Sequence, residues 1–175
     1  MSNESEQEVY PLGRDRAESI RLNKQHKFLV DIVNGPFDKS IPLDDVFAVA
    51  DVGTGTGIWL LEAQRHLSKA LPSPRKQRYN HGFDISSAQF PPSSSPSETE
   101  TETSSKDTMD FSVQNILHPF PIEHHNRYDL VHVRLLITAF ATDEFRNAVE
   151  NLLTILSMSR PSFLSTSYIY KHCIL

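Results

Sequence analysis

Two spacings of apolar residues alternate along the chain. Leu22, His26, Leu29 and Val33 recur at i, i+4, i+7 and i+11, with Phe28 and Ile32 widening the stripe, which is the pattern of one helical face. Asn34-Gly35-Pro36 ends that helix, because glycine permits a left-handed cap and proline cannot continue a helix. Val46–Val52 is then a short apolar run that reads as a strand buried on both faces. A second helix starts near Ile58, with Leu60, Ala63 and Leu67 at i, i+3 and i+7. Tyr79–Ile85, Phe111–Gln114 and Tyr128–Val133 read as three further strands. Thr142-Asp143-Glu144 can cap a last helix whose apolar face is Phe145, Val149, Leu152 and Leu156. Strands alternating with helices predict an α/β fold: a doubly wound, mostly parallel sheet with right-handed crossovers and helices on both faces.

Composition sets the boundaries. Residues 1–14 are polar and acidic and predict a flexible N-terminal arm. Residues 91–108, rich in Pro, Ser, Glu and Thr, predict a disordered insertion, because such a segment cannot bury a core. The folded domain is expected over residues 15–157. The 175 residues, 38% of them hydrophobic, suit one domain with a real core. A net charge of −5 argues against a nucleic-acid module, which would show a basic face. The apolar runs are too short for a spanning helix, and the first residues do not form a signal peptide; both point to an intracellular protein without a membrane partner. Cys173 is the only cysteine, which excludes an intramolecular disulfide and any cysteine-based zinc cluster. His118, His124 and His125 lie in a proline-containing loop, and two adjacent histidines chelate poorly, so no metal is expected.

The chemistry concentrates in Asp51-Val52-Gly53-Thr54-Gly55-Thr56-Gly57, which joins a buried strand to a helix. Glycines there admit backbone angles closed to other residues and let a ligand approach the main chain. The following helix start favours an anionic group. A phosphate loop would need Lys and Ser/Thr after its last glycine, and Gly57-Ile58-Trp59 lacks them. A dinucleotide turn would place its third glycine at Ile58, which disfavours a nucleotide-dependent reductase.

This segment resembles the first motif of class I S-adenosylmethionine-dependent methyltransferases. Glu18-Ser19-Ile20-Arg21-Leu22, Gln25-His26, Gly57-Ile58-Trp59, Gly82-Phe83-Asp84-Ile85-Ser86 and Tyr128-Asp129-Leu130-Val131-His132-Val133-Arg134 extend the likeness. Together they are similar to the methyltransferases of fungal secondary metabolism. The resemblance implies a Rossmann-like sheet, S-adenosyl-L-methionine as cofactor and a small-molecule methyl acceptor. It implies that Gly53, Gly55 and Gly57 lie against the methionine part, which Asp51 helps to orient. Asp84 would accept the ribose hydroxyls, and Gln114 and Asn115 would meet the adenine. The 27 positions from Gly57 to Asp84 exceed the usual spacing, and the polar connection at residues 68–80 accounts for the excess. Gln25-His26 falls in a region that packs over the cofactor in the family, although His26 also suits a core position. His132 and Arg134 sit where open α/β sheets place ligands, or form a packing pair at the strand end. No catalytic residue is named.

The likeness stops near residue 157. Residues 158–175 do not match the family pattern, so about four strands of the usual seven are expected, and the C-terminal part reads as truncated or altered. Phe163-Leu164 and Tyr168-Ile169-Tyr170 are the candidates to cover the resulting edge. The incomplete acceptor pocket predicts a weakly stable chain with impaired turnover. The alternative is a regulatory, non-catalytic relative acting through a protein partner.

Overall fold

A computed structural model of the chain describes residues 15–70, 77–92, 107–134, 142–159 and 162–166. Its principal elements, in order, are α1 (Arg16–Val33), β1 (Ala48–Val52), α2 (Ile58–Ala70), β2 (Tyr79–Asp84), β3 (Thr108–Val113), β4 (Leu130–Val133), α3 (Thr142–Ile155) and β5 (Phe163–Thr166). The strands form one parallel sheet in the order β3-β2-β1-β4-β5. β1 is central and buried along its whole length, as a strand covered on both faces must be.

Among the described residues the sheet has five strands, where the sequence predicts about four. The fifth is Phe163–Thr166, which pairs in parallel with β4 from Leu130↔Phe163 to Val133↔Thr166. Phe163-Leu164 therefore covers the edge that β4 would otherwise expose. β3 begins three residues before the expected Phe111. Thr108, Met109 and Asp110 pair with Tyr79, Asn80 and His81, and this backbone ladder forms although the segment borders a low-complexity stretch. The N-terminal arm, residues 93–106 of the insertion and Tyr168-Ile169-Tyr170 lie outside the described residues.

Strand alternation sorts the side chains onto two faces. On one, Ala48, Ala50, Val52, Phe83 and Val131 pack with Ala148, Leu152 and Ile155 of α3. On the other, Val49 and Leu130 pack with Trp59, Leu60, Ala63 and Leu67 of α2. The α2 stripe is the one expected. Two expected stripes shift. In α1, His26 and Leu29 are buried, but Phe28 and Ile32 are 64% and 61% exposed, because among the described residues the helix packs through its His26–Leu29 side. In α3, Phe145 is exposed and the buried line runs through Ala148, Asn151, Leu152 and Ile155. Asn151 belongs there because its amide donates to the Ile116 carbonyl at 2.8 Å.

α1 starts on Asp15, whose carboxylate accepts from Glu18 N at 2.9 Å. It ends on Asn34, which takes the left-handed conformation (φ 59°), followed by Gly35 with φ 135°.

A buried carboxylate ties the sheet together at its other end. Asp129 is fully buried, and its Oδ2 accepts from Phe47 N and Ala48 N, both at 2.9 Å. Its own N–H donates to Ala48 O, and its carbonyl accepts from Phe163 N, each at 2.8 Å. One residue thus links the starts of β1, β4 and β5. Asp129→Ala strands two strand-end N–H donors, and should lower the unfolding free energy by about 2–5 kcal/mol in urea titrations. Asp129→Asn, which keeps one acceptor oxygen, should lose less. A loss under about 1 kcal/mol for the alanine variant contradicts this role.

The α3 side of the sheet holds a polar aromatic cluster. His81 Nδ1 meets Tyr79 Oη at 2.5 Å, and its Nε2 meets Ser112 Oγ at 2.9 Å. Its ring stacks on Phe83, with centroids 4.2 Å apart. Burial, aided by the nearby His124 and Arg127 charges, pushes the His81 pKa down to about 3. The unfolded chain protonates this imidazole near pH 6.5 and the folded one does not. Its contribution is complete above about pH 6.5 and is progressively lost as pH falls from there toward the folded value. Urea unfolding free energies should already decline between about pH 6.5 and 5, above the range in which carboxylates titrate. A flat profile over that interval contradicts a buried neutral His81.

Candidate functional site

β1 delivers Asp51 to the C-terminal edge of the sheet, and the chain leaves through the glycine turn. Gly53, Gly55 and Gly57 have φ of 76°, 53° and 70°, the left-handed region in which a side chain is strained. The turn is held by its neighbours. Gly53 N and Thr54 N both donate to Phe83 O, at 2.8 and 2.9 Å, and Gly57 N donates to Thr54 O at 2.9 Å. Leu61 N then donates to Gly57 O, which starts α2.

Asp84 ends β2 directly beside this turn. Its Oδ2 accepts from Gly55 N at 2.8 Å and its Oδ1 from Ser86 N at 3.2 Å. Asp51, Gly53, Gly55, Gly57 and Asp84 are therefore brought together. Gln114 directly follows β3, its N–H bonded to Asp84 O at 2.8 Å. Its side-chain amide turns onto the loop beyond, donating to the carbonyls of Asn115, His118 and Pro119 at 2.9, 3.1 and 3.3 Å. Asn115 Oδ1 accepts from Leu117 N at 2.9 Å. This pair borders the site at its β3 end and shapes the loop there.

The period of two places His132 and Arg134 of the β4 end on the same face as Asp51, Gly82 and Asp84. Asp51 is buried, with Oδ1 at 2.8 Å from His132 Nδ1 and Oδ2 accepting from Thr54 Oγ1 at 2.7 Å. Trp59 stacks flat on His132, with centroids 3.6 Å apart and planes at 4°. The Trp59 indole N–H donates to Pro36 O at 3.1 Å, which anchors the segment after α1. Burial lowers the His132 pKa against the opposing pull of Asp51. At neutral pH the imidazole is neutral and donates from Nδ1 to the carboxylate.

A second chain of contacts runs from β4 through α1 to α2. Arg134 Nη2 lies 3.0 Å from His26 Nδ1, and His26 Nε2 lies 2.6 Å from Glu62 Oε2. A guanidinium only donates, so His26 Nδ1 must accept and Nε2 carries the proton given to Glu62. Burial lowers the His26 pKa, against the raising effect of its Glu62 hydrogen bond. His26 is thus a buried helix-face residue, as its place on the apolar stripe suggested, and also a polar link between β4 and α2.

α1 also lies directly over the turn. Thr56 Oγ1 donates to Asn23 Oδ1 at 2.7 Å, and Leu22 Cδ1 stands 3.2 Å from where a Cβ on Gly55 would be. Sequence reasoning gave Thr54, Trp59 and Glu62 no role. Thr54 and Trp59 nevertheless lie in the Asp51–Gly57 and Gly57-Ile58-Trp59 segments that carry the family likeness, whereas Glu62 carried no signal. His124 and His125 serve the loop fold, the first meeting Tyr128 Oη and the second the Phe120 carbonyl, each at 2.9 Å.

Gly82 is required by Phe111 of β3. A Cβ at Gly82 would stand 2.5 Å from Phe111 Cδ1 and 3.0 Å from Thr54 Cγ2. Gly82→Ala should therefore destabilise the chain by about 1–3 kcal/mol, and adding Phe111→Leu should recover part of that loss in urea unfolding. Strictly additive losses in the double variant contradict the contact.

No family model matches the chain. Among curated proteins, the methyltransferase grgD of Penicillium sp is 37% identical over 162 residues, which is 89% of this chain and 52% of that protein. The N-methyltransferase gliN of Aspergillus fumigatus is 31% identical over 145 residues, or 82% of this chain and 45% of that protein. The chain spans about half the length of the curated relatives it matches. Among solved structures, human N-acetylserotonin methyltransferase in complex with SAM superposes with a TM-score of 0.54 at 13% identity, covering 87% of this chain and 38% of that one. That likeness is one of fold; the fungal relatives carry the sequence. With its glycine turn and five-stranded parallel sheet, the chain is similar in sequence to fungal methyltransferases, which it matches over about half of their length, and shares its fold with an S-adenosylmethionine-bound methyltransferase.

Proposed function

We propose that the chain binds S-adenosyl-L-methionine across the C-terminal ends of β1 and β2 and serves methyl transfer to a small-molecule acceptor. One observation carries this reading above the others: the Asp84 carboxylate lies against Gly55 N, so the acid suited to a ribose and the turn suited to the methionine part form one surface. The donor set fits the ligand. An ionised Asp84 carboxylate accepts and does not donate, which suits the two hydroxyl donors of a ribose diol. Asp51 offers a buried negative charge to an ammonium group. Gly53, Gly55 and Gly57 present main chain without side chains in the way of a close approach. Gln114 and Asn115 border the adenine end. When bound, the cofactor supplies a methyl group activated by its sulfonium sulfur. The chain's own residues bind and orient it, hold α1 over the turn and exclude water. The name of the Aspergillus fumigatus relative favours nitrogen as the accepting atom.

Calorimetric titration of the 175-residue chain tests this reading. S-adenosylhomocysteine should bind, and Asp84→Ala should weaken it roughly 10- to 100-fold, the loss of charge-assisted hydrogen bonds. NADPH should give no heat. NADPH binding, or S-adenosylhomocysteine binding indifferent to Asp84→Ala, contradicts it.

A further inference from the structure

Arg134 is a cation in search of an anion. It lies just past the end of β4, two positions after His132, and so continues the face of Asp51 and Asp84. The register Asp51↔His132 and Val52↔Val133 sets it alongside the beginning of the glycine turn. Its guanidinium is only partly exposed, and burial lowers its pKa against the pull of the Asp51 and Glu62 carboxylates. Among the described residues its one hydrogen bond runs from Nη2 to the neutral His26 ring, and no carboxylate lies within ion-pair distance. His26 is fixed in turn by Glu62, so the planar fork is held in one orientation. A half-buried guanidinium without a contacting carboxylate is costly, and a bidentate anion is the partner its geometry suits.

Asp51 presents the complementary case on the neighbouring strand. Its contacts, His132 and Thr54, are neutral donors, so its negative charge has no cation in contact among the described residues. The charge of Asp51 nevertheless reaches Arg134. A carboxylate and a guanidinium at adjacent strand ends match a zwitterion, with the ammonium on Asp51 and the carboxylate on Arg134.

We propose that Arg134, oriented by His26 and Glu62, binds the α-carboxylate of the cofactor's methionyl end, and with Asp51 selects ligands that carry an intact α-amino acid. This rests on the cofactor reading above and adds a residue and a selectivity to it. The chemistry requires no bond to form or break.

The test is a set of dissociation constants for the 175-residue chain. The ligands are S-adenosylhomocysteine, decarboxylated S-adenosylmethionine (which keeps the amine) and 5′-methylthioadenosine (which keeps only the nucleoside and thioether). The unaltered chain should bind S-adenosylhomocysteine roughly 10- to 100-fold more tightly than the decarboxylated ligand. Arg134→Gln should erase that difference while leaving 5′-methylthioadenosine within about threefold, and Arg134→Lys should restore part of it as a point charge. Equal weakening of all three ligands by Arg134→Gln would show a purely structural link between α1 and β4 and overturn the proposal. A missing preference for the carboxylate in the unaltered chain overturns it without any variant. Failure of the unaltered chain to bind any of the three overturns the cofactor reading itself, and the proposal falls with it.

Discussion

The site depends on the parallel pairing of β1 between β2 and β4. Register alone sets Asp51 opposite both Gly82 and His132, and Val52 opposite Phe83 and Val133. From that pairing, Phe83 O is in position to take the first two N–H groups of the glycine turn. Asp84, one residue further, meets Gly55. His132, two residues past Leu130, meets Asp51. A slip of one residue would turn all of these side chains to the opposite face and replace them with the apolar set that packs on α3. Asp129 guards against it at the far end of the strands, where its carboxylate accepts the N–H groups of Phe47 and Ala48.

Much of this was readable from residue order because it is local. The apolar run of β1, the Leu60-Ala63-Leu67 face of α2 and the glycine spacing each depend on neighbours within a few positions, and each is found where expected. The acids Asp51 and Asp84 were legible for the same reason, since each marks the end of a strand. Contacts between distant positions were not. Glu62 is 36 positions from His26, and Trp59 lies 73 positions from the imidazole it stacks on. Periodicity also overstated α1, because it counts apolar residues and cannot know which side of the helix meets a neighbour; Phe28 and Ile32 are exposed. The fifth strand lay beyond the family likeness, yet the strand character of Phe163-Leu164 was visible, and backbone pairing to β4 realises it.

Two polar chains meet on the α2 side of the sheet, and both pass through a neutral histidine. One runs from Trp59 through His132 to Asp51, the other from Glu62 through His26 to Arg134. Each fixes a charged group at the edge of the glycine turn without neutralising it. Structure and chemistry coincide here, because the contacts that secure α1 and the start of α2 to the sheet also set the direction of the two charges available to a ligand.

The most direct measurement is a crystal structure of the chain grown with saturating S-adenosylhomocysteine. The account predicts the nucleoside lying across the ends of β1 and β2, with both ribose hydroxyls on the Asp84 carboxylate. Ligand bound elsewhere, or an empty crevice at saturating ligand, would contradict it.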